Sequence, residues 1–129
     1  MTDDLYPAVT RDRARMRREL APRPAVAFRD FSQAVFAEGA LSTKTKNLIA
    51  VAVAHVTQCP YCIKGHTRAA LHDGATNQEL MEAIWVAAEM RAGAAFAHSM
   101  IALAEMGGPA HAANDLPSAA LDHGEHHAH

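Results

Sequence analysis

Ser42-Thr-Lys-Thr-Lys-Asn-Leu-Ile-Ala-Val-Ala-Val-Ala-His-Val-Thr-Gln-Cys-Pro-Tyr-Cys-Ile-Lys-Gly-His66 contains both cysteines of the chain and its longest nearly apolar run, Leu48 to Val56. Ser42 is a good helix N-cap, which predicts a helix over roughly residues 43–57. From Leu48 the segment is apolar nearly all round, as expected of a buried helix. The β-branched Ile49, Val51, Val53 and Val56 also permit a strand. The lysines at its start, its length and the interspersed alanines favour helix. Pro60 suits the first turn of a following helix, where its missing N–H is no loss. That helix is expected to reach about His72 and to stop at Asp73-Gly74.

With Pro60 at the first helical position, Cys59 becomes the N-cap and Cys62 falls in the first turn. His66 then lies one turn further along the same face. The two sulfurs are within disulfide reach, and either thiolate feels the positive end of the helix. Such placement lowers a thiol pKa from about 8.5 towards or below neutrality. At four residues from Cys62, His66 can accept its proton or pair with its thiolate. A zinc site would need four ligands, and with two cysteines in the chain it would have to recruit His66 and either His55 or His98. Two inert core cysteines are the other alternative.

Upstream, Thr10 to Leu20 reads as a charged, weakly amphipathic helix ended by Pro22 and Pro24. A second helix, roughly Ala25 to Ala37, stacks Phe28, Phe31 and Val35 on one face. Downstream, Thr76-Asn-Gln-Glu79 reads as a capping box opening a helix through Met90. Gly93, among alanines, is expected to break it before a sixth helix to about Met106, and Gly107-Gly108-Pro109 to end that one. The fold expected is all-α, with about six helices in a single domain over residues 1–109 and its core in 25–106. Residues 110–129 lack periodicity and are expected to be a disordered, His-rich tail.

At 129 residues the size prior is one domain, and half of the residues are apolar with few aromatics. A formal charge of −2 provides no general attraction for nucleic acid or anionic lipid. The basic run Arg11 to Arg18 alternates with Asp12 and apolar residues, as a solvated helix face does. The start, Met-Thr-Asp-Asp, does not resemble a signal peptide, and no apolar run is long enough to cross a bilayer. A cytoplasmic location is therefore expected, and there a CxxC pair is more often catalytic or metal-binding than a structural staple.

His55, four residues before Cys59 in the most apolar helix, is expected to face the interior near the cysteine pair. His98 reads as a packing residue, and His123, His126, His127 and His129 as a compositional cluster. Glu82 and Glu89 read as surface charges, with Glu89 next to a small-residue stretch that permits close approach.

The quoted stretch, together with Gly74-Ala-Thr-Asn-Gln-Glu-Leu80 and Arg91-Ala-Gly-Ala-Ala95, resembles the alkylhydroperoxidase D-like proteins of the carboxymuconolactone decarboxylase superfamily. The likeness covers roughly residues 25–106. It implies an all-α fold assembling as a homo-oligomer, a trimer or hexamer, and reduction of hydroperoxides by a dithiol–disulfide cycle without a cofactor. It implies that Cys62 attacks the peroxide, Cys59 resolves the product and His66 transfers protons. Helix-cap logic instead favours Cys59 as the more activated thiol; proximity of Cys62 to a base decides for Cys62. The family motif has a glutamate where this chain has Asn47, and an amide cannot relay a proton. Relocation of the relay to Glu89, assisted by His55, is expected. A thiol reductant of unspecified identity must restore the pair. The competing functions are a decarboxylase or lactone-handling enzyme of the same fold, and a non-catalytic metal-binding oligomer.

Overall fold

Local signals in the sequence mark most helix boundaries of the computed structural model, which describes residues 5–111, with side chains through residue 107. Among the described residues five helices follow in order: α1 (Arg11–Leu20), α2 (Pro22–Phe36), α3 (Thr43–Thr57), α4 (Pro60–His72) and α5 (Asn77–His111). There is no strand among the described residues. The chain divides into two units, Met1–Met90 and Arg91–His129, and α5 begins in the first and ends in the second. The His-rich segment expected to be disordered lies largely outside the described residues.

Thr10 and Ser42 cap α1 and α3 by accepting the N–H groups of Arg13 and Thr45. α2 starts earlier than the sequence suggests: Pro22 and Pro24 end α1, but they also sit in the first turn of α2, where no N–H is needed. Its last turn is held by α3. The Lys46 ammonium donates to the carbonyls of Val35 and Ala37 at 2.8 and 2.6 Å, and the Thr43 hydroxyl donates to Phe36 O at 2.8 Å. A cation on the free carbonyls of a helix C-terminus satisfies acceptors that the helix itself cannot.

α4 ends in a Schellman motif. Ala75 N–H returns to Ala70 O and Gly74 N–H to Leu71 O, with Gly74 at φ +93°. Open space surrounds Gly74, so the backbone conformation and not crowding asks for glycine. Thr76 and Glu79 form the expected capping box, with reciprocal bonds of 2.9 and 3.0 Å.

Val51 of α3 and Ala70 of α4 are fully buried and meet Ala75 and Leu80, with Leu48 and Ile84 against them. Small residues at this contact let α3 and α4 approach closely. Two expectations are corrected. α3 is buried on one face only: Ile49, Val53 and Val56 are exposed, because no element among the described residues covers them. No sixth helix exists among the described residues, since α5 passes through Gly93 and beyond Gly107-Gly108-Pro109. Glycine weakens a helix by about 1 kcal/mol without forbidding it, and the alanines and Met90 around Gly93 offset that cost.

Candidate active site

The turn between α3 and α4 presents the cysteines. Gln58 closes α3 in the left-handed conformation (φ 59°), and the N–H groups of Gln58 and Cys59 both return to Ala54 O. This reversal leaves Cys59 as N-cap of α4 with Pro60 following, as the spacing predicts. Both cysteines are free thiols, Cys59 half-buried and Cys62 exposed. Their sulfurs share a hydrogen bond at 2.6 Å, and Cys62 N–H donates to Cys59 Sγ at 3.3 Å.

Those bonds divide the pair. The hydrogen bond with the Cys62 side chain, then the Cys62 backbone N–H, holds Cys59 below the usual thiol range. Cys62 is pushed up, first because it is bonded to Cys59, and further by partial burial and the charge on Cys59. Of the two, Cys59 is therefore the more readily ionised thiol.

His66 stands four residues beyond Cys62 on α4. Its Nδ1 lies 2.9 Å from Oδ1 of Asn47, whose Nδ2 donates to Asp73 Oδ2 at 3.1 Å. Asn47 is buried in the first turns of α3, and Asp73 is the C-cap of α4. Phe36, the last residue of α2, stacks on the imidazole with ring centroids 4.8 Å apart and planes 23° from parallel. The position where the resemblance expects a glutamate thus does contact the histidine, with an amide in place of the acid.

His55 and Glu89 are placed differently. His55 is half-buried, with Nδ1 on Val51 O of its own helix at 2.7 Å. Glu89 is exposed on α5. Neither is hydrogen-bonded to His66 or to a cysteine among the described residues, and the partner that His66 does have is Asn47. Phe36 and Asp73 escaped the sequence reading. Asp73 drew notice only as a helix stop, and an i+7 spacing from His66 on one helix face was the signal available. The link from Phe36 depends on how α2 meets α4, for which no sequence signal exists.

Beside the pair, the stretch Tyr6-Pro7 lies over α4. Tyr61 Oη donates to Pro7 O at 2.8 Å, and its ring meets Tyr6 edge-on at 6.1 Å. A cleft of about 530 Å³ opens there, lined by Pro7, Pro60, Tyr61, Lys64 and Arg68 among others. No group of three or more His, Cys, Asp or Glu side chains that could hold a metal ion occurs among the described residues. No helix among them is long and apolar enough to cross a membrane.

An all-helical chain with a CxxC pair at a helix start and a histidine one turn on defines a class, and comparison with known proteins bears on which. The carboxymuconolactone decarboxylase family model matches residues 22–105, and the chain belongs to that family. It is 68% identical over 78 residues to a Paracoccus denitrificans protein known as uncharacterized protein 4 in the cox locus, covering 60% of this chain and 70% of the relative. A crystal structure of a protein from Methanobacterium thermoautotrophicum matches with a TM-score of 0.61 at 40% identity, covering 64% of this chain and 93% of the other. An apo carboxymuconolactone decarboxylase family protein from Legionella pneumophila matches with a TM-score of 0.55 at 40% identity, covering 57% and 65%.

Proposed function

We propose that the chain is an alkylhydroperoxidase D-like, thiol-dependent peroxidase that reduces hydroperoxides through Cys59 and Cys62. One observation carries this reading: two free thiols with touching sulfurs at the N-terminus of α4, a base one turn beyond the exposed one. An inert structural pair gains nothing from exposure or from an uneven division of charge. A thiol needs both to meet a peroxide and to form a disulfide afterwards.

Cys62 is the attacking atom in this scheme. His66 takes its proton, and the Cys62 thiolate attacks the terminal oxygen of the hydroperoxide, displacing the alkoxide. The O–O bond breaks, Cys62 becomes a sulfenic acid, and the alkoxide leaves as an alcohol after protonation. Cys59, the more readily ionised of the two, then attacks the sulfenic sulfur as its thiolate. The S–S bond forms and hydroxide leaves, taking a proton to become water. A dithiol reductant restores the pair, giving up two electrons and two protons. The uneven pKa values suit both halves: at equal ionisation the higher-pKa sulfur is the better nucleophile, and the lower-pKa sulfur is the better leaving group when the disulfide is reduced. A cytoplasmic site, where thiol reductants are plentiful, fits this chemistry.

The partner of this chain is a second copy, in a trimer or hexamer. Its support is the apolar area left uncovered, including Trp85, Val86 and Met90 on α5 and Phe28 and Phe31 on α2. The decarboxylase reading draws its support from the family's name and makes no use of the cysteine pair.

Peroxide consumption with dithiothreitol as reductant, followed by mass spectrometry of dimedone adducts, tests the proposal. Cys62→Ser is expected to abolish turnover, and Cys59→Ser to leave a dimedone-trappable sulfenic acid on Cys62 after one turnover. Adducts on Cys59 in the Cys62→Ser protein, formed at the wild-type rate, would reverse the assignment of the two sulfurs. Turnover of a lactone substrate undiminished in the double serine variant would favour the decarboxylase.

A further inference from the structure

We propose that Asp73, acting through the Asn47 carboxamide, is a positioning residue that sets the tautomer of His66. The inference rests on the reading above, in which His66 exchanges a proton with the cysteine pair. It adds a residue that neither the CxxC spacing nor the family likeness assigns.

The argument starts from what each group can do. Asn47 is only 4% exposed, so water cannot serve its amide, and both ends must find partners within the chain. Its two partners are Asp73 Oδ2 at 3.1 Å and His66 Nδ1 at 2.9 Å. A carboxylate only accepts hydrogen bonds, so the NH₂ end of the amide turns to Asp73. That leaves the carbonyl oxygen facing the imidazole, and a carbonyl also only accepts. His66 Nδ1 must then carry the proton, and Nε2 is the nitrogen with a free lone pair. Phe36, stacked on the ring at 4.8 Å, fixes its plane. The reverse amide orientation would set NH₂ against an Nδ1 lone pair and the carbonyl against the carboxylate, leaving two acceptors face to face.

The chain of contacts is therefore not a proton relay, because an amide passes no proton. It is an orienting device. The negative charge that a glutamate at position 47 would place directly on the imidazole stands here one amide further away, at the end of α4. His66 handles a single proton, at Nε2, and the carboxylate selects the tautomer that makes this possible.

The test compares wild type, Asp73→Ala and Asp73→Asn in the full chain, by long-range ¹H–¹⁵N NMR of the neutral imidazole. The His66 signals are assigned by their loss in His66→Gln. Wild type is expected to show a single tautomer protonated at Nδ1. Asp73→Ala frees the amide to turn and should give a mixture of tautomers. It should also slow peroxide consumption roughly tenfold, a part of the ~10²-fold or more that general base catalysis supplies. Asp73→Asn keeps the shape and a hydrogen bond to Asn47 but can donate as well as accept, so it should hold the fold and still give a mixture of tautomers, which a merely structural role does not explain. A wild-type His66 protonated at Nε2 overturns the proposal without any variant, and so does an unmixed Nδ1-protonated form in folded Asp73→Ala. If wild type consumes no peroxide yet loses its single tautomer in Asp73→Ala, the peroxidase reading falls and the positioning role stands.

Discussion

α3 with α4, and α5, are written in much the same alphabet of Ala, Val, Leu, Ile and Met, yet they end in opposite conditions. Between α3 and α4, Val51 and Ala70 are completely buried. The polar groups there, Asn47, His66 and Asp73, are paired with one another. On α5, Leu80 and Ala87 are buried in the first turns, but Trp85 is 65% exposed and Val86 and Met90 stand out beside it. In the second unit Phe96 and Ile101 are exposed as well. The difference teaches that helix formation and burial are separate events. Ala, Leu and Met carry the helix of α5 on beyond the turns that bury Leu80 and Ala87, whereas the histidine contacts exist only because helices close on one another. The apolar area of α5 fits the homo-oligomer proposed above.

Three experiments bear on that contrast. The largest effect should be on assembly. Light scattering at micromolar concentration should return a multiple of the chain mass, and Trp85→Glu with Val86→Glu should reduce it to a single chain. A monomeric wild type would break the contrast, because α5 would then keep its apolar face in water.

Next in size is the cost of disturbing the closed pair. Ala70→Leu forces a larger side chain into the contact with Val51 and should destabilise the fold by about 1–3 kcal/mol in denaturant unfolding, as overpacking does. Met90→Gln, at an exposed α5 position, should change the same quantity by less than about 0.5 kcal/mol in a dissociated background. Equal costs at the two sites would show that α3 and α4 are no better packed than α5.

The smallest effect sits where the two regions join. Glu79, at the start of α5, is held below the usual carboxylate range, chiefly by the backbone N–H of Thr76 and then by Lys44 of α3, whose ammonium lies 3.0 Å away. A depressed folded-state value contributes stability above the unfolded value of about 4.3, and that contribution is lost as pH falls through the lower folded one. Glu79→Gln should therefore be slightly less stable than wild type at pH 7 and indistinguishable from it near the acid end of that window. A difference that persists in acid would mean that the capping geometry and not the charge supplies the effect.

Much of the local structure was legible because its causes are local. Ser42, Thr76 with Glu79, Pro60, and Asp73 with Gly74 act within one turn of their own position, so each boundary around the cysteines could be read from neighbouring residues. The same locality made Cys59 the N-cap and set His66 one turn from Cys62. At Gly93 the local penalty is too weak to break the helix, and at Ile49 and Val53 apolar character does not bring burial. Hydrophobicity states what a residue prefers to contact and not what one chain can bring to it.

An all-helical chain with a dithiol at the start of one helix and a histidine one turn on was determined by the order of residues alone, since propensity, capping and i+4 spacing involve no distant partner. The environment of that histidine was decided by tertiary contact. Asn47 and Phe36 come from α3 and α2, far from His66 along the chain, and meet it beside Asp73 at the end of its own helix. Whether an amide at position 47 passes a proton or merely points a ring depends on the carboxylate that meets its other end. No spacing rule carries that information, because a hydrogen bond across two packed helices is set by their relative placement.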